Sequence, residues 1–145
     1  MPFNAESRIE INKPAEAVIR FVFEPTNEPY WISGILESHM LSVRPVGRGT
    51  QVQRIQKLPV RTVDYVYEMV EFDPGGHLKL LSLDSRLNIE VEYFIEKAAG
   101  HSTVFRQVIR ANPRGYLSIL GFIAGRFMIS HLSRDMKHLK EILEK

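Results

Sequence analysis

The sequence predicts an α+β domain in which a seven-stranded antiparallel sheet wraps around one long C-terminal helix. Three observations carry this. The stretch from Arg114 to Lys145 has no helix breaker after Pro113 and is the one segment able to form a long helix. Between residues 36 and 111, six segments rich in β-branched and aromatic residues are divided by short turns, which implies antiparallel neighbours. A further strand-like segment and two short helical ones precede them, so helices gather at the ends of the chain, as in α+β domains.

Ser7 to Asn12 alternates, with Ile9 and Ile11 on one side and Arg8 and Glu10 on the other, the pattern of a half-buried strand. In residues 12–25, Pro14 suits a first helical position and Glu16 the positive end of the helix dipole. Val18, Phe21 and Val22 make one apolar face, and Pro25 ends this helix. A second short helical turn is expected in Thr26–Trp31, before Gly34. The strands then run Leu36–Val43, Val52–Leu58, Thr62–Phe72, Leu78–Leu83, Leu87–Ile95 and Thr103–Ala111. The turns between them include PVGRGT at 45–50, DPGG at 73–76, Asp84–Ser85 and Ala99–Gly100.

The long helix has two halves. The second carries Leu132, Met136, Leu139 and Leu143 at helical spacing, with charged residues opposite. In the first half, the side that continues this stripe holds Ser118, Gly121 and Gly125, while Ile119, Ile123 and Phe127 lie on the other side. A glycine inside a helix costs roughly 1 kcal/mol relative to alanine, so two of them need a reason. Room for a pocket beneath the helix, about 300–1,000 Å³, is one reason; close approach of helix to sheet is the other. Ile119, Ile123 and Phe127, with Tyr116 and Leu120 alongside, would then face away from the domain and suit a homodimer contact, or a membrane surface or partner protein; a helix kinked at Gly121–Gly125 would instead turn them inward to line the pocket.

Composition narrows the function. A length of 145 residues suits one domain spanning 1–145. The net charge is +2 and the basic residues are scattered, which argues against nucleic acid as a partner. There are no cysteines, so thiolate chemistry, disulfides and cysteine metal sites are excluded. The start MPFNAESRIEI lacks the basic and apolar runs of a signal peptide, and the longest uncharged run, Gly115 to Gly125, is far short of the roughly 20 residues of a membrane span. A cytoplasmic protein is expected. G-x-S-x-G, H-E-x-x-H and P-loop motifs are absent, and nothing calls for a cofactor.

The segment Glu24-Pro25-Thr26-Asn27-Glu28-Pro29-Tyr30-Trp31, the turn Gly47-Arg48-Gly49-Thr50 and the ending Leu139-Lys140-Glu141-Ile142-Leu143-Glu144 occur in the order of one known pattern. With its sequence of elements, the whole chain resembles the START-like superfamily, also called SRPBCC or helix-grip, and especially its polyketide cyclase/dehydrase-like branch. The resemblance implies a cavity between the concave face of the sheet and the long helix. It does not imply one function, because the superfamily includes lipid carriers, plant hormone and allergen proteins, aromatase/cyclases and chaperone activators.

Strand parity selects the residues that would line such a cavity. Leu87, Ile89, Val91, Tyr93 and Ile95 share one face; so do Val63, Tyr65, Tyr67 and Met69, and Val52, Arg54, Gln56 and Leu58. In Thr103–Ala111, Phe105, Gln107 and Ile109 are placed inward because the other choice buries Arg106 and Arg110. The expected ligand-binding set is therefore Trp31, Arg54, Tyr65, Tyr67, Tyr93, Phe105, Gln107, Gly121, Gly125 and Met128. Trp31 reads better as a core anchor near the second short helix, although the resemblance puts this region near the cavity entrance and so allows a ligand contact; the tyrosines also read as ordinary core residues. If Arg54 points inward, no acid on its face is evident apart from Glu71, so a ligand carboxylate or phosphate would be its partner. A register shift of one residue would instead put Arg54 in water.

His131, Asp135 and His138 share one helical side that reads as solvated rather than metal-binding, and His77 and His101 read as surface turns. His39 lies on a strand whose inward face the pattern does not choose, so a His–acid general base stays open. Three functions remain. The first is a carrier for a small hydrophobic ligand, neutral or anionic, such as a lipid or polyketide-like molecule, the second a cyclase/dehydrase-type enzyme, and the third an interaction module without a ligand.

Overall fold

The structure, a computed structural model, describes residues 3–59, 61–84, 87–112 and 119–145. Strand β1 (Phe3–Ile11) is followed by helix α1 (Ala15–Val22), a 3-10 turn (Pro25–Asn27) and the one-turn helix α2 (Glu28–Trp31). Strands β2 (Ile35–Met40), β3 (Gln51–Lys57), β4 (Thr62–Asp73), β5 (His77–Ser82), β6 (Ile89–Lys97) and β7 (Thr103–Ala111) lead to the long helix α3 (Ile119–Leu143). The expected start of α3 at Arg114 and the positions of Tyr116 and Ser118 lie outside the described residues.

All seven strands form one sheet in the order β1-β7-β6-β5-β4-β3-β2, every neighbouring pair antiparallel. Strands β2 to β7 form a meander, and β1 crosses to pair with β7 from Phe3↔Ala111 to Ile11↔Thr103. α3 packs on β1 and β7, α1 meets β6, and α2 meets the edge strand β2. This is the helix-grip architecture: α+β, with two short helices after the first strand.

β1 begins four residues before the expected Ser7. Its alternation continues back to Phe3, but Ala5 and Ser7 on the inward side are too small to announce a buried face. Asn88 at a φ of +46° precedes β6, so Leu87 is buried from the turn and not from the strand. The inward choices otherwise hold. The sets at 52–58, 63–69, 87–95 and 105–109 are buried on their chosen parities.

Two bulges alter the rest. One between Ile35 and Glu37 makes Ile35 and Ser38 the buried residues of β2 and leaves His39 exposed, where it pairs with Glu37 at 2.8 Å. The other, between Met69 and Glu71, reverses the parity of β4 beyond Met69. Phe72 turns toward Phe23, with ring centroids 5.7 Å apart, and Glu71 turns out toward Lys79. In the turn between β4 and β5, Gly76 has φ +136°, and a Cβ there would lie 2.1 Å from the Ile95 carbonyl oxygen.

Candidate functional site

The inner face of the sheet carries a buried polar cluster centred on Arg54. In the register, Arg54 lies between Ser38 of β2 and Tyr65 of β4. Its partner comes from elsewhere. Glu28 opens α2, and Trp31 follows at i+3, so both side chains leave the helix on the side that meets the sheet. Both are buried.

Glu28 and Arg54 form a bidentate ion pair: Nε to Oε1 and Nη2 to Oε2, each 2.9 Å. Ser38 Oγ donates to Glu28 Oε1 at 2.7 Å, and the Tyr67 hydroxyl donates to Oε2 at 2.6 Å. The Arg54 guanidinium also lies over the Tyr67 ring, 4.5 Å from its centroid. Tyr65 donates to Gln56 Oε1 at 2.8 Å, and its oxygen lies 3.4 Å from Arg54 Nη1.

Burial works against the charge on Arg54, but Glu28 and the neighbouring hydroxyls outweigh it and hold its pKa well above the ordinary value. Burial pushes the phenols of Tyr65, Tyr67 and Tyr93 upward. All three are therefore neutral hydrogen-bonding groups at any physiological pH.

The expectation of an unpartnered Arg54 is thus corrected. It does face inward, but Glu28 meets its charge, and the bulge after Met69 removes Glu71, the acid first considered. The signal for Glu28 was present: a buried Trp31 in so short a helix commits the residue three positions before it to the same side.

The cavity expectation is corrected as well. The gap lined by Arg54, Tyr65, Tyr67, Ile89, Val91 and Met128 has a volume of about 10 Å³, not several hundred. Large side chains fill the concavity, with Trp31 packed on Tyr93 and Phe105 at centroid distances of 6.1 and 6.0 Å. Gly125 serves close approach: a Cβ on it would meet the Phe3 ring at 2.8 Å and Ala111 Cβ at 2.9 Å. Gly121 is buried on the same helix.

Gln107 is buried opposite Tyr93 in the β6–β7 register. Of the ten expected site residues, Arg54, Tyr65, Tyr67 and Met128 meet at the gap, and Trp31, Tyr93 and Phe105 meet in one aromatic group. Three buried polar atoms, Trp31 Nε1, Gln56 Nε2 and Gln107 Oε1, have no hydrogen-bond partner among the described residues.

Three further expectations change. Asp135 is buried, not solvated; it accepts from Ser33 N–H at 3.0 Å and from the Ser33 hydroxyl, and burial raises its carboxyl pKa. On the outer face, His77 is a β5 residue set between Glu92 at 2.5 Å and Glu71 at 3.9 Å. Arg110 also holds Glu92, and Lys79 also holds Glu71. Of the outward helix stripe, Ile119 is exposed, whereas Ile123 and Phe127 are half-buried against the core.

No protein-family profile and no curated protein matches the chain. Solved structures do. It is similar to the Zhui aromatase/cyclase from Streptomyces sp. R1128, at 12% identity and a TM-score of 0.77, over 99% of this chain and 94% of that one. It is similar to a START superfamily protein from Mycobacterium smegmatis, at 15% identity and a TM-score of 0.75, over 97% and 98%. Ara h 8.0201 superposes at 11% identity with a TM-score of 0.72, over 99% and 98%. The fold is that of the START and SRPBCC proteins; identities this low establish the fold alone. No helix among the described residues is long and apolar enough to cross a membrane.

Proposed function

We propose that the chain binds a small, largely apolar molecule, such as a lipid or polyketide-like compound, between the inner face of the sheet and α3. One observation carries this reading. The inner face gathers aromatic rings around a polar cluster and leaves three buried polar atoms without partners, the make-up of a small-molecule site and a costly one for a core.

A gap of about 10 Å³ admits no such ligand as it stands, so binding requires α3 to move. The helix is unevenly held. Ser133 meets Ser7, Asp135 meets Ser33, Lys140 meets the Glu10 carbonyl and Glu144 meets the Asn12 N–H. All these ties come from its second half. Among the described residues the first half rests on apolar packing through Leu120, Ala124 and Met128, and that half would lift.

Native mass spectrometry of protein purified from its own host should show a retained small molecule. Nile red should bind the wild type and fail to bind a folded Gly121→Leu variant; undiminished binding there would sink the site. An interaction module would show neither retained mass nor probe binding.

A cyclase/dehydrase-type enzyme is the second reading, favoured by the Tyr67 hydroxyl held 2.6 Å from a carboxylate inside the fold. Under it, Tyr67→Phe abolishes turnover of a polyketide-like substrate and keeps its binding. The apolar surface at Ile119 and Ile123 suits self-association, so Ile119→Glu should convert a dimer to a monomer by light scattering.

A further inference from the structure

We propose that the interior selects an uncharged, oxygen-bearing ligand and rejects carboxylates and phosphates. The inference deepens the binding reading above and rests on it. Its first ground is charge. Arg54 is the one buried cation among the described residues, and Glu28 neutralises it through both guanidinium contacts. The Glu28 carboxylate is itself saturated, each oxygen taking one contact from Arg54 and one from a hydroxyl. An incoming anion would have to evict Glu28 into an apolar interior or stand there unpaired, and either outcome strands a buried charge.

The second ground is the unmet hydrogen-bonding capacity around that pair. Trp31 Nε1–H and Gln56 Nε2–H are donors, and Gln107 Oε1 is an acceptor; none has a partner among the described residues. They border the cluster: Gln56 accepts from Tyr65, Trp31 packs on Tyr93, and Gln107 lies opposite Tyr93. A ligand that answers them presents acceptor oxygens to the donors and a hydroxyl to the acceptor. That is the chemistry of a hydroxylated or keto-bearing apolar molecule, and all of it is neutral.

The test compares 2-naphthol, naphthalene and 2-naphthoate at pH 7 by isothermal titration with the full chain. These probes share an apolar body and differ in polar group. 2-Naphthol should bind at least about tenfold more tightly than 2-naphthoate, and more tightly than naphthalene. Gln107→Met and Gln56→Met should shrink the preference for 2-naphthol over naphthalene while naphthalene still binds. 2-Naphthoate binding as tightly as 2-naphthol would overturn the selectivity and leave apolar binding standing. Equal affinity for 2-naphthol and naphthalene would also overturn it, since the three polar atoms would then not be meeting the ligand. If none of the three binds, the binding reading falls and takes this inference with it. Should either variant fail to fold, the wild-type comparison decides alone.

Discussion

Arg54 and Glu28 are each tolerable in the interior only because of the other. Glu28→Gln should therefore cost about 3–5 kcal/mol in urea unfolding, the usual penalty for stranding one member of a buried pair. The double variant Glu28→Leu/Arg54→Met should recover most of that loss, because the pair is removed together; what it does not recover reflects the Ser38 and Tyr67 hydroxyls left without their acceptor. Glu24 tests the surface counterpart. Arg44 grips it in two contacts of 2.8 and 2.9 Å, with help from Thr26, and its pKa falls from 4.5 to about 2. For a carboxylate lowered on folding, the added stability is complete above the unfolded value and disappears as pH falls through the folded one. Glu24→Gln should thus be less stable than wild type at pH 7, with the difference closing between pH 4.5 and about 2. Asp135 acts with the opposite sign: its pKa is raised from 3.8 by burial, so its ionised form weakens the fold at neutral pH and the penalty lifts on acidification. Asp135→Asn should remove that slope.

At the scale of elements, α3 lies so close to β1 and β7 at Gly125 that one methyl group matters. Gly125→Ala should gain about 1 kcal/mol of helix propensity and lose about 1–3 to overpacking against Phe3 and Ala111, a net destabilisation by thermal melting. Phe3→Leu should relieve part of it, because the Phe3 ring supplies two of the three closest atoms. The same helix shows what the sequence made legible. Strand faces were readable wherever polar and apolar residues alternate, as in Ile89–Lys97, because a period of two is a direct consequence of the pleat. The bulge after Met69 was not, since no glycine or proline announces it, and it moved Glu71 from the expected inner face to the outer one. Glu28 was legible only through Trp31, three residues on, because a four-residue helix is too short to display an apolar stripe. The two glycines of the helix were noticed, but a missing side chain reads the same whether the space is empty or filled from across the interface. The Phe3 ring and the Ala111 methyl group decide that at Gly125.

The whole molecule is held unevenly along α3, and hydrogen exchange should show it. Amides of residues 119–130 should exchange faster than those of 131–143, and a bound ligand should slow the first group most. A different consequence follows from the sheet order. Strand β1 is made before its partner by nearly the whole sheet, because among the described residues it pairs with β7 alone, Phe3 opposite Ala111. During synthesis β1 must wait, its Ile9 and Ile11 uncovered, until strands β2 to β7 have been made. Such distant pairing makes closure entropically slow and leaves a strand edge open meanwhile. Chains stalled just before β7 should be cleaved within β1 by a nonspecific protease, whereas chains in which β7 and α3 have emerged should resist.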